Sequence, residues 1–151
     1  MIDLVLLDSG PTGLASNPRV SDEASRCKAW LRALLVAGVR VMVPEIIDYE
    51  VRRELLRAGK ARGIATLDGL GRDLGMLPVS GAVLLEAARL WAEARRQGIP
   101  TADDKGLDVD VILASTAILA ARDGIGVVVA TGNVGHLGRF CDAREWGRIA
   151  P

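Results

Sequence analysis

DVDVILASTA, residues 108–117, is the stretch on which the reading of this chain turns. Asp110 is followed by Ile112, Leu113, Thr116, Ala117 and Leu119 at helical spacing, which predicts a helix buried against the body of the protein. Its first turn then holds a carboxylate. An ionised acid beside a core needs a helix N-terminus, a hydrogen-bond donor or a cation to offset its lost hydration, and one divalent ion satisfies several acids at once. Other acids must therefore be sought at the same place.

Downstream, the helix is expected to run from Asp110 to Arg122 and to stop at Gly124. GVVVAT, residues 126–131, then reads as a buried strand, and TGNVGH, residues 131–136, as a turn. Leu137 to Pro151 carries Phe140 and Trp146 and is expected to add a short strand before an irregular tail. Upstream lie two further strands, IDLVLL at 2–7, which ends at Asp8, and VRVMV at 39–43. A short helix from Pro11 to Ala15 follows Asp8. Ser21 caps a second helix, with Ala24, Cys27, Trp30, Leu31, Leu34 and Leu35 as its apolar stripe. Pro44 opens a third helix to about Ala58, with Ile46, Ile47, Val51 and Leu55 inward and Arg52, Arg53, Arg57, Lys60 and Arg62 as a basic outer strip. Glycines interrupt residues 63–75, leaving only a short helix around Leu67 to Leu70. Ser80 caps a long helix to Gln97, and a loop from Ile99 to Leu107 carries Asp103, Asp104 and Lys105.

Apolar strands separated by helices predict one α/β domain over residues 1–151, a parallel sheet with helices on both faces. In such sheets, sites collect beyond the carboxyl ends of the strands. That rule selects Asp8, the helix after the second strand, and the turn from Thr131 to His136, with Asp110 leading into the same end. Lysine plus arginine and aspartate plus glutamate balance at 19 each, so any polyanion must be met by a local patch rather than a global field. Cys27 and Cys141 lack CxxC spacing and read as free thiols in a reducing cytosol. No apolar run approaches the roughly 20 residues of a membrane helix, and no basic leader or cleavage site opens the chain, so the expected location is cytoplasmic.

Asp8, Glu50 and Asp110 are far apart in sequence, yet this fold could converge them on one Mg2+ or Mn2+ ion, both of which favour hard oxygen ligands. Such an ion lowers the pKa of a bound water and neutralises charge developing on a phosphodiester. Simpler explanations exist for each acid: an Asx turn for Asp8, a helix-dipole partner for Asp110, a surface ion pair for Glu50, and loop solvation for Asp104 and Asp108. Asp108 is a further candidate ligand. With one histidine and no GxSxG, acyl-transfer triads lack support, and neither GxxxxGK[ST] nor GxGxxG is present. A strand-ending aspartate also suits a phosphoryl-accepting regulatory domain, but paired acids on the first strand and a late-loop lysine are missing. Trp30 and Trp91 fall at helical core spacing.

Three segments together resemble the PIN domain family, metal-dependent ribonucleases that include the toxins of type II toxin–antitoxin pairs. LLDSGPTGL is similar to the family's strand-ending aspartate and following hydroxyl, here Asp8 and Ser9. VPEIIDYEVRREL resembles its second-strand exit and glutamate-bearing helix, best matched at Glu50. DVILASTAILAARDGIGVVVATGN resembles its aspartate-headed, alanine-rich helix and the strand ending in Thr-x-Asn, here Asp110, Thr131 and Asn133. The resemblance implies a three-layer α/β/α PIN-like domain that cleaves RNA by metal-activated water. Asp8, Glu50 and Asp110 would be the catalytic and metal-binding acids, and Ser9, Thr131, Asn133 and His136 would orient ligands or phosphate. It also implies a homodimer and an antitoxin partner. One departure stands out: where the family often has another acid, this chain has His136. The alternative the departure keeps open is a catalytically degenerate scaffold that binds RNA or protein.

Overall fold

The computed structural model describes residues 1–98 and 104–151. Five strands form one parallel sheet in the order β3-β2-β1-β4-β5, with β1 Leu4–Leu7, β2 Arg40–Pro44, β3 Met76–Leu77, β4 Val127–Thr131 and β5 Ala143–Glu145. All four residues of β1 are buried, as a central strand covered on both faces requires. Leu4, Val5, Leu6 and Leu7 lie opposite Val127, Val128, Val129 and Ala130 of β4, while Leu4 to Leu6 pair with Arg40 to Met42 of β2.

The pleat sorts the strand residues between two cores. Val5, Leu7, Val41, Val43, Val128 and Ala130 pack with Leu31 and Leu34 of α2 (Asp22–Val36) and with Ile149, and Trp30 stacks obliquely on Trp146 at 5.5 Å. Leu4, Leu6 and Val129 pack on the other face with Ile47 of α3 (Glu45–Arg57), with Val109, Leu113 and Ala117 of α6 (Asp104–Ala120), and with Leu137 of α7 (Val134–Leu137). Helix α5 (Gly81–Arg96) lies outside α6, meeting it through Ala87, Leu90, Leu107, Val111 and Ala114. The three-layer α/β/α arrangement expected from the pattern is therefore present, with α5 as an added outer cover. Among the described residues no helix is long and apolar enough to cross a membrane.

Local chemistry accounts for the helix starts. The Ser21 and Ser80 hydroxyls accept from Ala24 N and Val83 N, and Pro44 stands immediately before α3. The helix after β1 is longer than Pro11–Ala15: α1 spans Ser9–Ser16, because Asp8 caps it directly. Three expectations need larger correction. Residues 61–74 form one continuous helix, α4 (Ala61–Leu74), not a fragment around Leu67. Its glycines are contact points: a Cβ on Gly63 would lie 3.0 Å from Leu55 Cδ2, and one on Gly71 3.3 Å from Met76 Sδ. Side-chain-free positions thus let α4 approach α3 and the sheet edge closely. The two-residue strand β3 that follows is the second difference, since nothing in the sequence pattern announces it.

The third correction concerns the stretch 108–117. Of the expected loop Ile99 to Leu107, residues 99–103, including Asp103, lie outside the described residues, but α6 already runs from Asp104. Asp110 consequently stands in the second helical turn, not the first, and the helix N-terminus is too distant to offset its charge well.

Candidate metal centre

The strand order reverses direction between β1 and β4, the switch point at which open parallel sheets form crevices. Asp8 leaves β1 there, its N–H donating to Ala130 O at 2.9 Å. Its carboxylate is held twice. Oδ1 accepts from Ser9 N at 2.8 Å, and Oδ2 accepts from the Thr131 hydroxyl at 2.7 Å, across the junction of the two strands. The Thr131 hydroxyl also lies 3.2 Å from Asn133 O, but its one proton favours the shorter, charge-assisted bond. Asn133 N–H donates to Thr131 Oγ1 at 3.1 Å and so holds that hydroxyl in place. The Asn133 side chain is occupied elsewhere, capping α7 by accepting from Gly135 N at 3.0 Å.

Asp110 projects from the buried helix α6 and has no hydrogen-bond donor or ion-pair partner among the described residues. Its carboxyl is pushed up to about 6, first by burial and next by the negative charge of Asp8; His136 pulls the other way, and Glu50 adds to the rise. These four groups therefore share one electrostatic environment. The nearby Cys141 thiol is pushed up to about 12, chiefly by burial and then by Asp142, Asp8 and Asp110, which leaves it inert as a nucleophile. Glu50, on α3, lines a cleft of about 500 Å³ with Ser9, Gly13 and Lys60. As the side chains stand, no three His, Cys, Asp or Glu groups among the described residues are close enough to enclose an ion. The acids sense one another without yet meeting at a point.

Asp108 is not part of this group. It is exposed, and two residues along a helix turn it away from the face that carries Asp110. His136, on α7, is half-buried, and its Nδ1 is fully buried without a partner among the described residues.

The basic strip also differs from expectation. Arg52 is not an outer residue: it forks onto Asp48 at 2.9 and 3.1 Å and reaches Asp68 of α4 at 2.6 Å. Arg57 is held by Glu54 at 2.7 Å, and Arg53 lies over the Tyr49 ring at 5.2 Å. Asp48, buried on α3, escapes the sequence reading, although its spacing four residues before Arg52 is an ordinary helical pairing signal. A second cleft, about 580 Å³, shares Gly13, Val51, Leu55 and Lys60 with the first and continues to Arg19 and Arg62. One groove thus runs from Glu50 and Ser9 to Arg19, Lys60 and Arg62, none of which has an acidic partner among the described residues.

No family profile and no curated protein matches the chain. Solved structures do. A chain of VapBC2 from Rickettsia felis, bound to a DNA fragment from their promoter, superposes with a TM-score of 0.71 at 16% identity, covering 95% of this chain and 98% of that one. This chain shares their fold. The same holds for VapBC-1 from nontypeable Haemophilus influenzae, with a TM-score of 0.67, 17% identity, and 96% and 99% coverage. FitAcB from Neisseria gonorrhoeae gives 0.63, 20% identity, and again 96% and 99%. Likeness at this level of identity is a likeness of architecture, and it extends over nearly the whole chain.

Proposed function

We propose that the chain is a PIN-like, metal-dependent endoribonuclease, the toxin component of a type II toxin–antitoxin pair. One observation carries the reading: a half-buried carboxylate, Asp110, lies at the sheet's switch point with no donor among the described residues to offset it and with two more acids, Asp8 and Glu50, in its field. A divalent ion, Mg2+ or Mn2+, is the partner that suits three such oxygen donors. Asp8, Glu50 and Asp110 would hold it, their side chains drawing inward as it binds. When bound, the ion would supply an activated water and neutralise charge on the phosphate under attack.

The protein's own contribution is orientation. Thr131 fixes one oxygen of Asp8 and the Ser9 N–H fixes the other, so that carboxylate is presented in a single pose. Ser9 lines the same cleft as Glu50, and its hydroxyl would meet a substrate phosphate there. Along the adjoining groove Arg19, Lys60 and Arg62 are free to track the RNA backbone, in place of Arg52, Arg53 and Arg57. The VapBC and FitAcB assemblies named above share this fold, and the family resemblance implies a toxin with an antitoxin partner. By analogy, an antitoxin protein bound to a homodimer of this chain completes the reading.

Labelled RNA incubated with the purified protein and Mn2+ should be cleaved, and chelation or Glu50→Gln should stop it. Equal cleavage in all arms would assign the activity to a contaminant and sink the proposal. Thr131→Val isolates the orienting hydrogen bond: manganese affinity by calorimetry should fall about 10–100-fold, the usual cost of losing an outer-shell partner. Unchanged affinity would mean that Thr131 serves the strand junction alone. The rival of a non-catalytic scaffold is favoured by the present spread of the acids. It requires that no heat accompany Mn2+ addition.

A further inference from the structure

Within the proposed centre, the residue that departs from an all-oxygen donor set is His136. Helix α7 begins three residues after Thr131, so its position is tied to the strand end that holds Asp8. Leu137, the next residue, is packed with Val109 and Leu113, which flank Asp110 along α6. His136 is thereby carried to the edge of the acid group. Its Nδ1 is fully buried and has no hydrogen-bond partner among the described residues. A buried ring nitrogen left so carries an uncompensated desolvation cost, and interiors rarely retain one without a use. A side chain in the field of Asp110 that keeps an unpartnered ring nitrogen is a candidate nitrogen donor to the same ion.

We infer that His136 ligates the ion through this nitrogen, and that the centre therefore takes a first-row transition ion in preference to magnesium. The inference rests on the nuclease reading, whose ion it specifies. Magnesium keeps its waters, demands oxygen and gains little from imidazole, whereas nitrogen donors raise affinity along the series from manganese through cobalt.

The test uses the untagged chain in imidazole-free buffer. His136 is its only histidine, so any imidazole nitrogen seen at a bound ion has a single source. Pulsed electron paramagnetic resonance of the Mn2+-loaded protein should show imidazole nitrogen coupling, and His136→Gln should abolish it. Calorimetry with Mg2+, Mn2+ and Co2+ should show affinity rising in that order, and His136→Asp should narrow the gap between Mg2+ and Co2+ by roughly tenfold or more. Bound manganese without nitrogen coupling would overturn this inference and leave chelator-sensitive RNA cleavage standing. A protein that binds no manganese at all would overturn both. The wild-type spectrum decides even if either variant folds poorly.

Discussion

Asp110→Asn is expected to abolish RNA cleavage and, at neutral pH without metal, to make the protein more stable than the wild type. The activity loss should be at least about a hundredfold, exceeding the usual 10–100-fold penalty for an outer-shell partner, because a proposed ligand of the ion is removed. The stability gain follows from the raised carboxyl. In the folded protein Asp110 titrates at about 6 instead of the ordinary 3.8, so the native state holds its proton more tightly than the unfolded chain does. Below the lower value both states are protonated and the residue imposes no penalty. As pH rises through the upper value the native state must ionise a half-buried group, and the stability present in acid is lost. The shift would be worth about 3 kcal/mol for a fully buried group, but partial solvent screening reduces this to about 1–2 kcal/mol.

Urea unfolding at about pH 7.5 should thus favour the Asp110→Asn variant by that margin, and the difference should vanish as pH falls toward about 4. Saturating Mn2+ should restore the wild type and do nothing for the variant. A variant less stable at both pH values would mean that Asp110 has a structural partner, contrary to the site as described.

Arg52→Ala should cause the second large effect, this time on folding alone. Asp48 has a side chain only 13% exposed, and its oxygens are gripped by the Arg52 fork. Removing the guanidinium strands that charge inside α3 and cuts the tie to Asp68 on α4. Breaking a buried pair costs about 3–5 kcal/mol; with Arg52 itself 31% exposed, about 2–3 kcal/mol is expected here. Asp68, half-exposed, contributes little. The paired change Asp48→Leu with Arg52→Leu should recover most of the loss, since neither charge is then left alone. If Arg52→Ala unfolds at the wild-type urea midpoint, the network is a surface ornament and α4 is held by packing alone.

The strands at 4–7, 40–44 and 127–131 were legible because each is nearly all apolar, and the caps at Ser21 and Ser80 because their side chains have one obvious task. Helix α4 was hidden because glycine signals a break in an isolated chain, whereas Gly63 and Gly71 here make room for neighbours that only the tertiary structure supplies. The start of α6 was hidden by its charged opening, although Leu107, Val111 and Ala114 already carried the spacing of a face that α5 covers. Residue types and strand ends pointed to Asp8, Glu50 and Asp110 before any coordinates. What no spacing rule supplies is that Arg52 turns inward to a buried acid. Nor does one reveal that the Asn133 side chain is consumed in capping α7.

The double grip on Asp8 bears on how inactive forms of this protein are made. Its two oxygens join residues adjacent in sequence and residues 123 positions apart, so the acid also acts as a rivet between β1 and β4. An amide at position 8 would turn a donor toward the Thr131 oxygen and loosen that seam, mixing damage to the scaffold with damage to the chemistry. A lesion at 110 relieves the scaffold instead. A test of the proposed nuclease in cells is therefore cleaner when the silencing change is made on α6.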